Sequence, residues 1–516
     1  MLVVDAAGAR AADDAAITAG IPSRALMQRA GAAASAEIAR RFPDDLAAGV
    51  LVATGAGNNG GDGWVVAAAL HAAGIKVRVV ECVAAATADA MAERASALAA
   101  GVLHGGGIDG LRAGAERIAI DAILGTGLRA DAPFVGPAAT AVATLGERHR
   151  LDGTRLVALD VPSGMDATSG SDVGGLQCSL TLAVGTLKRC HLVSRGACGD
   201  IVLLDIGLGA HARAAGGAAL ATPAWFRAAL PAIPADAHKG ARKKVAIVGG
   251  APGMAGAGIR AARAALRRGA GMVTCLVAPD SLRAGQEAAP AALASTWPAN
   301  DAAPLEAITG WADAVLIGPG LGRDGARPLV DRLLRDFRGP VVLDADALNA
   351  FAGDAAALAP WLGDRAALLT PHPAELARLI GVTVDVVLGQ RFDLPTRIAG
   401  DIGACVLLKG VPTVVAAPNG DTMVVAEGTP VLATGGAGDL LGGIAVTLLA
   451  QTGDAARSGA LAAYAHGRAA WLVSARDVRG YTLDDVLLAL PVVWSLPVPA
   501  PRPPVLAELP AVGERA

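Results

Sequence analysis

The chain has 516 residues, with 44 Lys and Arg against 47 Asp and Glu and a formal net charge of -3 at pH 7. A single hydrophobic core stops growing well below this length, so we expect two domains, and the scattered basic residues argue against a nucleic-acid partner. Hydrophobic residues make up 53% of the sequence, but many are alanine and no long run is both strongly apolar and free of glycine and charge, so we expect no transmembrane helix and no membrane partner.

The N-terminus and the cysteines indicate a cytoplasmic protein without disulfides. The opening MLVVDAAGARAADDAA reaches acidic residues too early for a signal peptide. The cysteines are far apart and form no C-x-x-C pair, which argues against a zinc site or a disulfide framework. We expect buried, free thiols at Cys82, Cys178, Cys190, Cys198, Cys275 and Cys405.

The first part of the chain alternates apolar runs, glycine-rich turns and alanine-rich helical segments. The runs GVLVATG, KVRVVE, RIAIDA and RLVALD are continuously apolar, which is typical of parallel strands covered on both faces. The alternation predicts βαβ units in a Rossmann-like three-layer αβα sandwich over residues 1–214. Functional loops then lie at the carboxyl ends of the strands.

The pattern lapses into Ala, Gly and Pro and then starts again. We place a linker at residues 215–235 and a second α/β domain at residues 236–500, which opens with KKVAIVGG. The runs AVLIGPG, PVVLDAD, AALLTPHP and CVLLKG continue the same alternation of strands and helices. The proline-rich tail at residues 501–516 is predicted to be irregular.

A glycine-rich loop is the first candidate site. Gly55, Gly57 and Gly60 satisfy G-x-G-x-x-G after a strand, and Glu81 ends the next strand, so an NAD-dependent oxidoreductase must be considered. The whole segment GAGNNGGDG is more specific, because it adds two Asn and one Asp to five Gly ahead of a helix. Such a loop brings backbone N–H groups and amide side chains to an anion.

Two further strand ends add oxygen ligands. Asp121 opens DAILGTG, and Asp160 opens DVPSG, which contains Ser163. A single Asp at a strand end is commonly a cap or a turn former. Carboxylate, amide and hydroxyl oxygens that converge at one sheet edge suit a hard cation.

These motifs, with GIPSRALMQRAG and TLAVGTLKRC on either side, resemble the NAD(P)H-hydrate epimerases. The resemblance implies potassium on Asn59, Asp121 and Ser163. It also implies that Asp160 and Lys188 are the catalytic candidates for interconverting R and S epimers of hydrated NAD(P)H, although Lys188 could instead be a solvated surface lysine. The implied substrate contacts are Asn58, Asn59, Gly60, Gly61, Asp62, Gly125, Thr126, Gly127, Leu128, Arg129, Ala130, Asp131 and Asp160.

TGGAGDLLGG is the sharpest motif of the second half. Its glycines, Gly435, Gly436 and Gly438, open a helix whose amides can bind an anion. Asp439 stands where a carboxylate can take a proton from a hydroxyl, and phosphoryl transfer needs both functions. Upstream, LLKGVPT places Lys409 to Thr413 at a strand end, where they can hold a nucleotide.

This second set resembles the ribokinase-like fold, so a vitamin-precursor kinase with an accessory domain is the alternative. TPHPAEL has His372 where the related vitamin kinases carry Asn. In this position the segment resembles the ADP- or ATP-dependent NAD(P)H-hydrate dehydratases, which carry His. The resemblance implies substrate contacts at Ala257, Gly320, His372 and Asp439. It implies ADP or AMP contacts at Lys409, Gly410, Val411, Pro412, Thr413 and Gly438.

The two resemblances together predict a bifunctional repair enzyme. One half epimerises NADHX and NADPHX with K⁺, and the other dehydrates the S epimer with ADP and Mg²⁺. Phosphorylation turns the ring hydroxyl into a leaving phosphate, and Asp439 is the base for that step. The expected products are NAD(P)H, AMP and phosphate, and we expect a homo-oligomer.

Overall fold

A computed structural model describes residues 1–214, 216–297, 303–363, 365–474 and 477–512. The chain forms two compact units: unit 1 is Met1–Ala219 with Ala500–Ala516, and unit 2 is Leu220–Pro499. Within the described ranges, no helix combines the length and the apolar character needed to span a bilayer. All six cysteines lie in these ranges and are buried and free, which confirms that prediction.

Strands and helices alternate along both units. The strands are β1 (Leu2–Val4), β2 (Val50–Thr54), β3 (Val77–Glu81), β4 (Leu103–His104), β5 (Ile118–Ala122), β6 (Arg155–Leu159), β7 (Leu180–Val184), β8 (Leu187–Lys188), β9 (Asp200–Leu204), β10 (Ala218–Leu220), β11 (Lys244–Val248), β12 (Met272–Val277), β13 (Leu293–Thr296), β14 (Ala314–Ile317), β15 (Val341–Leu343), β16 (Ala367–Leu369), β17 (Cys405–Leu408), β18 (Thr413–Ala416), β19 (Thr422–Val425) and β20 (Val505–Leu509). The helices are α1 (Ala6–Thr18), α2 (Ser23–Arg41), α3 (Asn58–Ala72), α4 (Ala88–Ala99), α5 (Pro137–Asp152), α6 (Arg189–Val193), α7 (Arg195–Cys198), α8 (His211–Ala214), α9 (Pro223–Ala229), α10 (Ala255–Arg268), α11 (Leu282–Ala288), α12 (Ala303–Thr309), α13 (Ala326–Asp336), α14 (Asp346–Asn349), α15 (Ala359–Leu362), α16 (Pro373–Ile380), α17 (Val384–Gly389), α18 (Leu394–Ile402), α19 (Ala437–Thr452), α20 (Ala455–Val473) and α21 (Leu483–Val493).

Unit 1 is built on a sheet of order β20-β9-β7-β6-β5-β2-β3-β4. Its strands are parallel except for β20, which runs antiparallel to β9. Alternate residues of β2 enter two cores: Val50 and Val52 pack with Trp64, and Leu51 and Ala53 pack with Leu145. Because successive strand side chains point to opposite faces, this alternation gives the predicted three-layer sandwich.

Unit 2 has its strands in the order β13-β12-β11-β14-β15-β16-β17-β18-β19. The strands from β13 to β17 are parallel, and β18 and β19 are added antiparallel. In β11, Val245 and Ile247 face the core that includes α19 and α20, whereas Ala246 and Val248 face the core of α13 and α16. The prediction of two α/β domains is therefore confirmed.

The tail and the linker differ from their predictions. The tail is not irregular throughout, because β20 pairs with β9, and this strand returns the end of the chain to unit 1. The predicted linker contains β10 and α9, and Phe226 of α9 stacks on Tyr464 within unit 2, with 4.4 Å between ring centroids. The division between the units falls between residues 219 and 220. Composition alone does not predict β10, α9 and β20, because each lies in a stretch rich in proline and alanine, which is typical of irregular chain.

Buried charge fixes the tail to unit 1. The Glu37 side chain is 3% exposed and receives hydrogen bonds from Arg41 Nε at 2.6 Å and Arg502 Nη1 at 2.7 Å. Arg40 Nη2 binds the same carboxylate at 2.7 Å. Burial alone would raise the pKa of Glu37, but the hydrogen bonds from the three arginines outweigh it and lower the pKa to about 2.

We predict that Glu37→Gln destabilises the protein by about 2 kcal/mol at pH 7, because it leaves three arginines without their shared anion. The folded pKa lies below the ordinary value of 4.5, so the stabilisation is present above pH 4.5 and is lost as the pH falls toward 2. Chemical denaturation at pH 7 and at pH 3 measures both effects. Glu147→Gln, at an exposed pair with Arg112, is the control, and equal losses in the two variants would contradict the prediction.

Candidate active sites

Unit 1 contains a cavity of 380 Å³ at the carboxyl edge of its parallel strands. The structure brings into its wall these predicted residues: Asn58, Asn59, Asp62, Gly125, Thr126, Asp160 and Lys188. They come from the start of α3, the loop after β5, the loop after β6, and β8. Strands that run in parallel end at one sheet edge, and this places the separate motifs around one space.

A buried ion pair forms one wall of the cavity. Lys188 Nζ donates to the Asp160 carboxylate, and also to the carbonyls of Val184 at 2.8 Å and Thr186 at 3.1 Å. The Lys188 side chain is 3% exposed, so the alternative of a solvated surface lysine is wrong. Asp160 has a φ of 64°, which is uncommon for a residue with a Cβ and is typical of sites where neighbouring bonds hold a strained backbone.

His191 holds both members of that pair through their backbones. Its Nδ1 accepts a hydrogen bond from Lys188 N at 3.0 Å, and its Nε2 lies 2.6 Å from Asp160 O. Because Nδ1 accepts, Nε2 carries the proton and donates to the carbonyl. Burial and the Lys188 charge lower the pKa of His191 to about 4. The neutral His191 ring therefore bridges the backbones of two charged residues, Lys188 and Asp160.

Two more carboxyl groups face the same cavity. Asp13 of α1 and Asp62 of α3 line it beside the Asp160 and Lys188 pair. Desolvation raises the pKa of Asp13 to about 6, with Lys188 opposing the shift. Desolvation and the charge of Asp160 also raise the pKa of Asp62. A proton shared among these groups near neutral pH is what acid–base chemistry requires.

The predicted cation ligands form a connected set of oxygen atoms. Ser163 donates from its N to Asp121 Oδ2 at 2.7 Å and from its Oγ to Asp121 Oδ1 at 2.6 Å. Asn59 Nδ2 donates to Leu124 O at 3.0 Å, whereas Asn59 Oδ1 is buried and has no hydrogen-bond partner. A buried acceptor without a donor is costly unless it has another partner. Amide, hydroxyl and carboxylate oxygens suit a hard monovalent cation.

Other predicted residues of unit 1 make packing contacts or ion pairs within the fold. A Cβ on Gly60 would lie 2.0 Å from Gly55 O, and one on Gly61 would lie 2.6 Å from the Met27 side chain. These two glycines therefore allow α3, which begins inside the motif at Asn58, to pack closely. Glu81 is engaged by Arg94 at 2.9 Å, which leaves it no role as a ribose ligand.

The end of the predicted substrate loop lies away from the cavity wall. Arg129 and Asp131 pair with each other at 2.6 Å on the surface, and both side chains are exposed. The residues of the loop that do not line the cavity are Gly127, Leu128, Arg129, Ala130 and Asp131.

Unit 2 places the GAGD loop over a partly buried lysine. Lys409 Nζ donates to Asp344 Oδ1 at 2.8 Å and lies 3.4 Å from Glu375 Oε2. A Cβ on Gly438 would come within 3.2 Å of the same Nζ. Burial alone would lower the pKa of Lys409, but the carboxylates of Asp344 and Glu375 raise it. Lys409 therefore supplies a fixed positive charge beneath the loop.

Asp439 stands at the first turn of α19 beside Arg260, with 3.7 Å between Oδ2 and Nη1. Burial and the negative charge of Asp344 raise the pKa of Asp439 to about 7, while Arg260 and Lys409 oppose the shift. A carboxylate that gains and loses a proton near neutral pH is suited to act as a general base.

His372 is the N-cap of α16. Its Nδ1 accepts from Ala374 N at 3.1 Å and from Glu375 N at 3.3 Å, and Glu375 Oε2 accepts from His372 N at 2.8 Å. His372 therefore caps the helix through Nδ1. Its Nε2 carries the proton and lies 3.4 Å from Glu375 Oε1, so one donor is still available to a ligand.

Ala257 and Gly320 adjoin each other, since a Cβ on Gly320 would lie 3.0 Å from that of Ala257. Thr413 is turned inward, with its Oγ1 donating to Gly410 O at 2.8 Å. Val411 and Pro412 lie between Gly410 and Thr413 in the chain. Val411 O accepts a hydrogen bond from Arg391 Nη1 at 3.4 Å, and the peptide bond between Val411 and Pro412 is cis.

Sequence reasoning missed four residues of these sites. Asp344 follows β15 as Asp160 follows β6, so the strand-end rule that found Asp160 could have found Asp344. Asp13 and His191 lie in helices of ordinary composition and gave no signal. Arg260 is one of several arginines on α10, and only packing shows which of them reaches the GAGD loop.

Two family models match the chain, one in each half. A family model described as YjeF-related protein N-terminus matches residues 23–190, and one described as NAD(P)H-hydrate dehydratase matches residues 245–491. Among solved structures, an ADP/ATP-dependent NAD(P)H-hydrate dehydratase from Bacillus subtilis is 27% identical and covers 54% of this chain and 98% of its own, with a TM-score of 0.47.

Curated relatives match almost the whole chain. The bifunctional NAD(P)H-hydrate repair enzyme Nnr of Moorella thermoacetica is 35% identical, with 92% of each chain covered. The protein of the same name from Escherichia coli is 33% identical, with 92% of this chain and 90% of its own covered. These matches favour the dehydratase over the vitamin-precursor kinase and the oxidoreductase. The chain belongs to the family of bifunctional NAD(P)H-hydrate repair enzymes.

Proposed function

We propose that unit 1 epimerises hydrated NAD(P)H and that unit 2 dehydrates the S epimer back to NAD(P)H with ADP. The observation that carries the proposal is the order of the two family matches along one chain, which relatives of that name cover to 92%. Each match contains a lysine paired to an aspartate at a strand end. Together the two activities recover both epimers of one damage product.

In unit 1 the reacting carbon carries a hydroxyl and the ring nitrogen. Asp160 takes the hydroxyl proton, the bond from that carbon to the nitrogen breaks, and the nitrogen receives the proton. The aldehyde rotates and presents its other face to the ring nitrogen. The nitrogen then attacks the aldehyde carbon and loses its proton, and Asp160 returns a proton to the oxygen, which gives the other epimer. Lys188 holds the Asp160 side chain in place, since its other two hydrogen bonds go to the backbone carbonyls of Val184 and Thr186.

Potassium fits the oxygen set of Asn59, Asp121 and Ser163. The unpartnered Asn59 Oδ1 supports this assignment. When bound, the ion would supply positive charge at this edge of the sheet. Asp121 is fully buried, and its hydrogen bonds from Ser163 orient it within the set.

In unit 2 Asp439 takes the proton of the ring hydroxyl as the hydroxyl oxygen attacks the terminal phosphorus of ADP. The bond from that phosphorus to the bridging oxygen breaks and AMP leaves. Phosphate then departs from the ring carbon, and loss of the neighbouring proton re-forms the double bond. The amides of Gly436 to Gly438 at the start of α19 face the phosphates.

ADP and magnesium fit this loop in different ways. Gly435 has open space where a Cβ would be, which lets a phosphate approach the backbone. Among the described residues, no three His, Cys, Asp or Glu side chains converge as a metal cage. Magnesium commonly binds through one or two carboxylates and nucleotide phosphates, so we assign it to the nucleotide. It would neutralise charge on the phosphates.

We further assign the protein to the cytoplasm. All six cysteines are free thiols, a state that a reducing compartment preserves.

We predict that Lys188→Met lowers the epimerisation rate by about 10² to 10⁴ and leaves dehydration of the S epimer unchanged, because Asp160 loses its counter-charge. Chromatographic separation of the two NADHX epimers measures the first rate, and recovery of NADH absorbance with ADP measures the second. Lys76→Met, at an exposed lysine of unit 1, should match the wild type. Normal epimerisation in Lys188→Met would overturn this role.

We predict that Asn59→Leu removes the response of unit 1 to potassium, because it replaces the unpartnered oxygen by a methyl group of similar size. The readouts are the epimerisation rate and the Tm in KCl and in choline chloride at equal ionic strength. Asn58→Leu should weaken substrate binding and keep the potassium response. If Asn59→Leu still gains rate and Tm from KCl as the wild type does, the site lies elsewhere.

We predict that Asp439→Asn lowers dehydration by about 10² to 10⁴ and leaves epimerisation intact, because the hydroxyl loses its base. Asp439 must be ionised to act, so kcat of the wild type should rise with pH through about 7. Rates with S-NADHX and ADP between pH 5.5 and 9 test this. A wild-type kcat that is flat across that range would exclude Asp439 as the base.

A further inference from the structure

Arg260 lies across the loop that the proposed function gives to phosphate. Its Nη1 is 3.7 Å from Asp439 Oδ2, and a Cβ on Gly436 would come within 2.9 Å of the same nitrogen. A Cβ on Gly256 would lie 3.4 Å from it, so the side chain leans back toward the start of α10, as helical side chains do. Gly256 precedes Ala257, which adjoins Gly320. The guanidinium thus lies between the predicted substrate wall and the GAGD loop.

The ion pair of Arg260 with Asp439 is a long one. Its side chain is 42% exposed, and among the described residues Asp439 is the only carboxylate within 4 Å. A separation of 3.7 Å is too long for a good hydrogen bond. Arg263, one turn later on α10, is different because its Nη1 is bound to Asp484 Oδ1 at 2.7 Å. Of these two arginines, Arg260 is the one with donors ready for a ligand.

The charges around Asp439 require such a cation. The carboxylates of Asp344, Glu375 and Asp439 lie near the ammonium of Lys409. Lys409 forms its ion pairs with Asp344 and Glu375. Burial and the Lys409 charge, among other neighbours, lower the pKa of His372, so the ring adds no positive charge near neutral pH. Nucleotide phosphates bring further negative charge, and among the residues that the structure describes Arg260 is a second cation beside the loop.

We propose that Arg260 is a catalytic residue of unit 2, whose guanidinium contacts the phosphoryl group while that group passes from the nucleotide to the substrate hydroxyl. The inference rests on the proposed function of unit 2. The planar fork of an arginine can bind two phosphoryl oxygens at once, and it stays charged at every working pH. Donors fixed where charge develops stabilise the transition state more than the ground state.

A purely structural role makes a different prediction. If Arg260 only tuned Asp439, its loss would raise the pKa of Asp439, and the rate would return at high pH. If it contacts the phosphoryl group, kcat stays low at pH 9, where Asp439 is ionised without help. The pH dependence of kcat therefore separates the two roles.

The test uses the full chain with S-NADHX, ADP and Mg²⁺, and compares Arg260→Gln, Arg260→Lys, Arg260→Ala and Arg263→Gln. We expect Arg260→Gln to lower kcat at pH 9 by about 10² to 10³, with a smaller change in the KM for NADHX. Arg260→Lys should fall between it and the wild type, and guanidinium ion should partly restore Arg260→Ala. Arg263→Gln should remain within about twofold of the wild type.

The epimerisation rate of the same preparations reports that unit 1 is intact, and the Tm reports the fold of the whole chain. A kcat of Arg260→Gln that equals that of Arg263→Gln, or that recovers fully at pH 9, would overturn the inference and leave the proposed function standing. A wild type that forms no NADH from hydrated NADH with any nucleotide would overturn both.

Discussion

Each unit depends on one lysine that pairs with an aspartate at the carboxyl end of a parallel strand, and the lysine side chain is 3% exposed in unit 1 and 18% exposed in unit 2. Lys188 pairs with Asp160 after β6, and Lys409 pairs with Asp344 after β15. Removing two charges from water costs several kcal/mol for each ion, and the attraction between them repays this only when further hydrogen bonds complete the pair. Carbonyls of Val184 and Thr186 complete the first pair.

The consequence is that contacts within the protein hold both pairs of charged residues without a ligand. In unit 1 the ion pair, the His191 bridge and the positive φ of Asp160 fix one geometry. In unit 2 Thr370 Oγ1 donates to Asp344 at 2.9 Å, and Ala345 follows with a φ of 48°. Strained backbone after a strand end marks both sites, and it persists because the surrounding bonds determine it.

Small residues give the second constraint. A Cβ on Gly443 of α19 would lie 2.1 Å from Ala261 O of α10, so these two helices pack backbone against backbone. That close approach carries Arg260 from α10 to the first turn of α19. The high alanine and glycine content, which first suggested an apolar chain, is thus a condition for bringing polar groups of different helices together.

The sequence predicts the α/β architecture well because parallel strands are continuously apolar and their ends carry recognisable glycine and aspartate motifs. Asn59, Asp160 and Asp439 lie in such motifs, whereas Lys188 is predicted only from the resemblance to the epimerases. Residues such as Asp13 and Arg260 could not be predicted, because their importance comes from which helix face meets the site, and helix packing is not written in local composition. The strand β20 was also hidden, since its proline-rich flanks are typical of irregular chain.

The return of the tail has a consequence for how the chain is made and divided. Because β20 completes the sheet of unit 1 beside β9, unit 2 is an insertion within the chain of unit 1. During synthesis unit 2 can fold as a continuous segment, whereas the β9 edge of unit 1 stays open until β20 has been made. A gene cut between residues 219 and 220 would therefore leave the first product without the strand that covers this edge.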